Sequence, residues 1–255
     1  VQTVLSPLER QNRIAEMVAA EGRLQVAGLA SLFQTSDDSI RRDLRALAAD
    51  GRIRRLHGVV LPAAPPPDSF AERDGQHADE KAAIGRALVP LLRPGSTVFF
   101  DGGTTTLAAA RAMPTDLALS VVTTSPPVAL ALVDHPGVEV ILVGGTFDRA
   151  SRTVVGALAV EAIRAVRADA AVLGLCSLSP GGVSTTGLEE AAVKRAMADS
   201  SARCVALGTA DKLGLVSPHM VMPAEQLDTL ITCAAPADRI KDFVDIGVDV
   251  ISAPL

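Results

Sequence analysis

The chain has 255 residues, of which 48% are hydrophobic and only 2% aromatic, with no Trp and no Tyr. That length suits one small domain plus one of ordinary size, and the scarcity of aromatics excludes a ligand site built on stacking rings. The net charge of −5 excludes a generally polybasic nucleic-acid binder, and no apolar run approaches transmembrane length and no signal peptide is evident, so a cytoplasmic protein without a membrane partner is expected.

The charge is unevenly spread. From Glu9 to Leu61 there are nine Arg, no Lys and seven acidic residues, whereas the rest of the chain is net acidic. A locally basic face on an acidic body is compatible with DNA binding and predicts weak non-specific affinity, because few phosphates can be neutralised. Cys176, Cys204 and Cys233 lack C-x-x-C spacing and read as reduced core residues. His57, His77, His135 and His219 show no metal-ligand spacing, the last three falling in expected loops. No metal or cofactor is therefore expected.

In chain order, residues 1–7 read as a flexible lead-in and 8–61 as a winged helix-turn-helix. Leu8 to Ala20 carries Ile14, Met17 and Val18 on one side, a first helix ended by Gly22. Leu24 and Val26 are β-type positions. Val26 to Phe33 reads as a second helix with Leu29, Leu32 and Phe33 inward. Ser36 then caps a third helix, with Asp37 and Asp38 at its positive dipole end. Ile40, Leu44 and Leu47 form the buried stripe of that helix, which leaves Arg41, Arg42 and Arg45 outside. After Gly51, Arg52, Arg54 and Arg55 straddle Ile53 in a short basic hairpin. Forked guanidinium donors on a helix suit base edges in the major groove, and a basic wing suits phosphates. The expected contacts to double-stranded operator DNA are Ser36 and Ser39, the helix arginines 41, 42 and 45, the wing arginines 52, 54 and 55, and His57.

The stretch SIRRDLRALAADGRIRRLHG resembles the end of the DNA-binding domain of DeoR-type bacterial transcription regulators, in which an IRRDL helix runs into a G-x-x-x-R-x-HGG wing. Val59 stands where that family usually has a second glycine. Valine resists positive φ, so the wing tip is expected to turn differently.

Residues 62–78, rich in proline, read as a semi-rigid linker. From 79 to 255 apolar runs alternate with amphipathic segments. Expected strands are Thr97–Phe100, Leu119–Val122, Val138–Val143, Ala171–Leu175, Cys204–Leu207, Leu230–Thr232 and Val248–Ile251. Helices are expected at Lys81–Leu92, Thr105–Met113, Pro126–Val133, Ala157–Val166, Leu188–Ser200 and Ala237–Val244. The fold class is thus α/β, a doubly wound, mostly parallel sheet behind the winged helix.

The strongest candidate site in this part is DGGTTT: Asp101, Gly102, Gly103, Thr104, Thr105 and Thr106, after a strand and opening a helix. Two glycines admit close approach, and the helix N-terminus favours an anion, phosphate above all; a glycine-rich turn with Thr capping is the plainer alternative. Thr123 and Thr124 close another strand. Arg149 and Arg152, after Gly144 and Gly145, either close over an anion or are surface charges. Asp169 precedes a strand. Glu190 and Lys194, four residues apart on one helix, are either a surface ion pair or ligand groups. Lys212 follows a strand's carboxyl end, where α/β ligands bind.

The resemblance continues here. DeoR-type sensor domains have a D-x-G-T-T loop, in a fold similar to ribose-5-phosphate isomerase, where the equivalent loop holds sugar phosphate. The family's acidic and lysine positions line the sensor pocket, and Thr124 replaces its usual asparagine. The resemblance implies a phosphorylated-sugar effector and 79–255 as sensor and oligomerisation domain. Two functions fit: a transcription regulator, acting as a repressor and homo-oligomer (dimer or tetramer), or a sugar-phosphate isomerase with an appended DNA-binding head. The head favours the regulator, since an isomerase gains nothing from it, and no enzyme activity is expected.

Overall fold

A computed structural model describes residues 5–56, 58–65 and 68–255. His57, residues 1–4 of the expected lead-in and 66–67 of the expected linker lie outside the described residues. The chain divides into two compact units, Val1–Pro65 with Gly214–Ser217, and Pro66–Leu213 with Pro218–Leu255.

The first unit begins with helix α1, Pro7–Glu21, under a capping box in which Ser6 accepts the Glu9 N–H and Glu9 accepts the Ser6 N–H. Ser6 and Pro7 thus belong to a helix start and not to the lead-in. Strand β1 is Leu24–Gln25, α2 is the single turn Leu29–Leu32, and α3 is Asp37–Ala49. The second helix is therefore shorter than expected: Gly28 caps it in the left-handed region, so Val26 lies outside, and Leu32 is 58% exposed. Strands β2, Ile53–Leu56, and β3, Val59–Pro62, form the wing hairpin, and β1 pairs with β3 on its far side. The register sets Leu56 opposite Val59, and the positive φ of the turn, +83°, falls on Gly58. Val59 is an ordinary strand residue, so the departure from the family pattern leaves the left-handed position with a glycine.

Ile14, Val18, Leu24, Leu29, Ile40, Leu44, Leu47, Ile53 and Val60 form this unit's core. One contact across it involves no apolar group. Arg10 of α1 and Asp43 of α3 are both buried and meet at 2.5 Å, with Gln11 donating to the other Asp43 oxygen at 3.0 Å.

The second unit opens with α4, Phe70–Gly75, capped by Ser69, inside the stretch expected as linker. The local capping box of Ser69 and Glu72 outweighs the prolines before it. Then come α5 (Ala78–Leu88), β4 (Thr97–Phe100), α6 (Thr104–Arg111), β5 (Leu119–Thr123), α7 (Pro126–Leu132) and β6 (Val138–Leu142). A hairpin of β7 (Thr146–Asp148) and β8 (Thr153–Val155) leads to α8 (Ala157–Arg164) and β9 (Ala170–Gly174). After β10 (Ser177–Ser179) and β11 (Gly182–Thr185) follow α9 (Leu188–Asp199), β12 (Cys204–Leu207), β13 (His219–Met222), β14 (Thr229–Cys233), α10 (Ala237–Asp245) and β15 (Asp249–Ala253).

Seven strands make one sheet in the order β15-β14-β12-β9-β4-β5-β6, with every neighbouring pair parallel. Its two faces carry separate cores, as the alternation along each strand requires. Val98, Phe100 and Val172 pack with Ile84, Leu107 and Val128 on one face, whereas Phe99, Ala171 and Leu173 pack with Ile163, Met197 and Phe243 on the other. The sheet is doubly wound. The hairpin and the small antiparallel sheet β10-β11-β13 are additions that the apolar runs did not reveal. The latter places His219 in a strand rather than a loop.

Removing Asp43 would strand the buried Arg10 guanidinium. Asp43→Ala should cost the first unit about 3–5 kcal/mol, read as a fall in the urea midpoint of its unfolding. A loss below about 1 kcal/mol would mean the pair behaves as a solvated one.

Candidate functional site

Two surfaces bring the sequence candidates together. The first is the outer side of α3 with the β2–β3 hairpin. Ser36 spends its hydroxyl on the helix cap, accepting the Ser39 N–H at 3.2 Å, and its Oγ lies 3.0 Å from Ser39 Oγ. Arg41, Arg42 and Arg45 are exposed because Ile40, Leu44 and Leu47 take the opposite side inward. Arg45 Nε donates to the Arg41 carbonyl at 3.2 Å, and Arg41 approaches Asp38 at 3.7 Å. Such exposed contacts are weak and yield readily to a phosphate or a base edge. In the wing, Arg55 is exposed, Arg54 is half-buried, and Arg52 donates to Asn12 on α1 at 2.9 Å. Arg52 and Arg54 are therefore partly committed to the head's own packing. His57 cannot be placed, lying outside the described residues.

The second surface is the carboxyl end of the seven-stranded sheet. Successive connections leave β4 in opposite directions, through β5 and β6 on one side and β9, β12, β14 and β15 on the other. The crevice of a doubly wound sheet lies at that switch, between β4 and β9. Asp101 and Gly102 follow β4 at this point, and Gly103, with φ of +116°, caps α6 without a side-chain hydrogen bond. A Cβ on Gly102 would stand 1.9 Å from Thr153 Cγ2, so only glycine lets the loop and the hairpin meet. Thr104 and Thr106 are buried, the latter donating to the Gly103 carbonyl at 2.9 Å, and Thr105 is half-buried.

Beneath the loop lies a closed set of charges. Asp101 is 2% exposed; its Oδ2 accepts the Gly174 N–H at 3.0 Å and the ammonium of Lys194, which is also 2% exposed. Lys194 also donates to the Gly174 carbonyl at 2.9 Å and lies 3.4 Å from Glu190, which accepts the Thr185 hydroxyl at 2.7 Å. Glu190 and Lys194 are thus not a surface pair, because α9 turns Lys194 into the sheet end. Burial pushes the Asp101 carboxyl up, against the pull of Lys194 and with a further push from Glu190. Burial alone would lower Lys194, but the Asp101 and Glu190 carboxylates outweigh it and hold the ammonium above its usual range.

The other candidates divide. Thr123 and Thr124 are fully buried at the end of β5; Thr123 Oγ1 accepts the Ser125 N–H at 3.0 Å, and Thr124 Oγ1 has no hydrogen-bond partner among the described residues. Lys212 follows β12, is half-buried and pairs with Asp211 at 2.7 Å. Arg149 is exposed in the β7–β8 turn, whereas Arg152, with φ of +55°, lays its guanidinium 4.6 Å from the centre of the Phe70 ring. Asp169 does not belong. It stands at the amino end of β9, accepting the Thr97 N–H at 2.8 Å, the length of a strand away from the crevice. Because it precedes its strand it stands at the amino end, whereas α/β ligands bind at the carboxyl ends.

Lys81 was missed, because it looked like the polar face of an amphipathic helix. It is buried on α5, donates to the Arg73 carbonyl, and has its pKa lowered by burial, against Asp74, with Lys212 and Arg73 lowering it further. Of the cysteines, Cys204 and Cys233 are buried and Cys176 is half-buried; burial pushes the Cys204 thiol up to about 12. Among the described residues no group of three or more His, Cys, Asp or Glu is placed to hold a metal, and no helix is long and apolar enough to cross a membrane.

Comparison with known proteins agrees with this division. Residues 10–62 match the model of the DeoR-like helix-turn-helix domain, and residues 76–233 match that of the DeoR C terminal sensor domain. Over 232 residues, 89% of each chain, it is 34% identical to the uncharacterized HTH-type transcriptional regulator YgbI of Escherichia coli. It is 33% identical to the HTH-type transcriptional regulator GlpR of Haloferax volcanii, covering 96% of this chain and 97% of that one. The glycerol-3-phosphate regulon repressor of Escherichia coli is 29% identical, over 89% of this chain and 91% of that one. Among solved structures, ribose 5-phosphate isomerase A of Methanocaldococcus jannaschii aligns with a TM-score of 0.41 and 14% identity, over 55% of this chain and 56% of that one.

The Asp101–Lys194 pair carries a signed pH expectation. In Lys194→Met, Asp101 loses the ammonium that pulls it down, so its raised pKa rises further. The folded state then keeps a proton that the unfolded chain releases above about pH 4, and stability falls as pH rises between those two values. The variant should lose about 3–5 kcal/mol near neutral pH and distinctly less at about pH 5. Thermal midpoints of both proteins at the two pH values check this, and an equal loss at both would contradict it.

Proposed function

The chain belongs to the DeoR family of transcription regulators, and from that premise we propose a repressor of a carbohydrate-use operon that releases double-stranded operator DNA when a phosphorylated sugar, or a compound derived from one, binds. It acts in the cytoplasm, as a homo-oligomer, and by binding rather than catalysis. The observation that carries the effector class is the α6 N-terminus. It opens at the sheet's switch point without a side-chain cap, on a loop held by a buried ion pair. A rigid set of backbone N–H groups at a helix N-terminus is an anion site, and phosphate suits it best. A relative named for a glycerol-3-phosphate regulon supports the same class.

In this reading the phosphate sits against the backbone of Thr104, Thr105 and Thr106, with the Thr105 hydroxyl. Lys212 and Arg152 balance its charge. Glu190 and Thr124, which each keep hydrogen-bonding capacity, address the hydroxyls of the sugar. Asp101 and Lys194 do not touch the ligand; they satisfy one another and fix the loop. Arg149, at the hairpin turn, stands at the margin.

Arg152 supplies a route for the response. Its stacking on Phe70 ties the hairpin to α4, the first helix of the second unit. A phosphate that draws Arg152 away competes with that stacking and frees α4. A coupling of about 1–3 kcal/mol weakens operator binding roughly 5–150-fold.

On the DNA side, Arg42→Ala or Arg45→Ala should cost about 1–3 kcal/mol and relax preference at one operator position, and Arg55→Ala should weaken all sequences alike and lower the salt slope by about one. Operator titrations across salt concentrations measure both, and unchanged binding by the folded helix variants would refute the recognition-helix reading. On the effector side, a thermal-shift screen of sugar phosphates beside their unphosphorylated sugars identifies the ligand. Lys212→Ala should keep wild-type operator affinity without that ligand and lose the response to it. An equal response in both proteins would move the phosphate elsewhere, and turnover of the ligand by wild type would replace the sensor with an enzyme.

A further inference from the structure

We propose that strand β6, one open edge of the seven-stranded sheet, is the surface on which a second copy of this chain docks. The inference rests on the reading above that the protein works as a homo-oligomer, and it names the interface. Among the described residues β6 pairs only with β5, so its outer side presents backbone N–H and C=O groups without a strand partner, a template for another strand. Such edges are ordinarily blunted by charge. β6 carries a single charged residue, Glu139, which is exposed and accepts the Ser120 hydroxyl of β5 at 3.0 Å.

Beyond Glu139, what β6 exposes is apolar. Ile141 is 44% and Leu142 50% exposed. Consecutive strand residues point to opposite faces, so neither helix layer closes over the end of this strand. Leu130 and Val133 at the end of α7, Phe147 on β7 and Leu158 on α8 are also bare, between 50% and 72% exposed. These side chains lie on β6 and on the elements before and after it in the chain, where an interface of ordinary size, about 800 Å² per partner, would cover them. The opposite edge is mixed. Beside β15, which begins with exposed Asp249, bare Val244, Ile246 and Leu255 lie among the exposed charges Asp238, Arg239, Lys241 and Asp245 of α10, so its apolar groups are broken up by charge.

An edge whose one charge is bonded to the neighbouring strand, and whose end is apolar toward both faces, is complementary to itself. A dyad perpendicular to the sheet lays β6 antiparallel on β6 of the other copy, satisfies both backbones and closes the assembly. It also supplies the two-fold relation through which paired winged helices read a repeated half-site.

Sedimentation of the full chain tests this with wild type, Leu142→Arg and, at the opposite edge, Val244→Arg. Self-association by wild type and Val244→Arg, weakened at least about tenfold in Leu142→Arg, is the expected result. Hydrogen exchange on wild type gives a reading that needs no variant: β6 amides should gain protection as protein concentration rises. Undiminished assembly by Leu142→Arg, or β6 exchange that ignores concentration, would overturn the inference. If Val244→Arg alone falls apart, the protein pairs by its other edge and only the surface is wrong. A wild type that stays monomeric at all concentrations defeats the oligomer reading itself and the inference with it.

Discussion

The second unit depends on one buried ion pair. Asp101 ends the central strand β4, and Lys194 reaches it from α9 on the far face of the sheet, with Gly174 of β9 held between them. Two charges removed from water gain little net stability even when well matched. What they gain is position. Lys194 donates to a carboxylate and a carbonyl and lies 3.4 Å from a second carboxylate, so the start of α6 has one place to stand. An apolar pair could hold the sheet end as firmly, but it would leave the Gly174 N–H and C=O to find other partners.

The first unit uses the same device. Arg10 and Asp43 cross its core where the apolar residues alone would permit α1 and α3 to slide. Because Asp43 points inward, its neighbours Arg41, Arg42 and Arg45 are left on the outer arc of α3. Each domain therefore sets its functional surface by burying one carboxylate beside it. In both, the groups left exposed are the cations that an anionic partner needs. The buried pairs define shape, and in the proposed reading the exposed arginines and the half-buried Lys212 supply affinity.

Apolar periodicity made the frame legible. All seven strands of the main sheet and the six long helices around it were visible as runs and stripes, because strands covered on both faces must be apolar at nearly every position. The hairpin β7–β8 and the sheet β10-β11-β13 were not, since three-residue strands rich in Ser and Thr look like loops. The site was legible where a motif carried its own geometry, as in DGGTTT. It was hidden where meaning depended on which way a side chain turned. Lys194 and Lys81 sit at helical positions that suit a solvated face equally well, and only packing shows them buried. Asp169 failed for a different reason: it precedes its strand and so stands at the amino end, away from the carboxyl ends where α/β ligands bind, and only the resemblance to the family placed it in the pocket.

The poverty in aromatic residues bears on what the crevice can select. A sugar ring is commonly held by stacking, but Phe70, the ring beside Arg152, is buried in the core and already carries that guanidinium. Discrimination must then come from hydrogen bonds, and the polar groups left to make them are few. Thr124 is fully buried and offers one hydroxyl where the related proteins' motif offers an amide, so it can serve one ligand group where asparagine serves two. A ligand with one more polar group at that point would leave it buried and unpaired, a penalty of about 1–3 kcal/mol. In the proposed binding mode Thr124 narrows which sugar groups are accepted, whereas the α6 N-terminus would accept any phosphate ester alike, so affinity and specificity would lie at different ends of the same crevice.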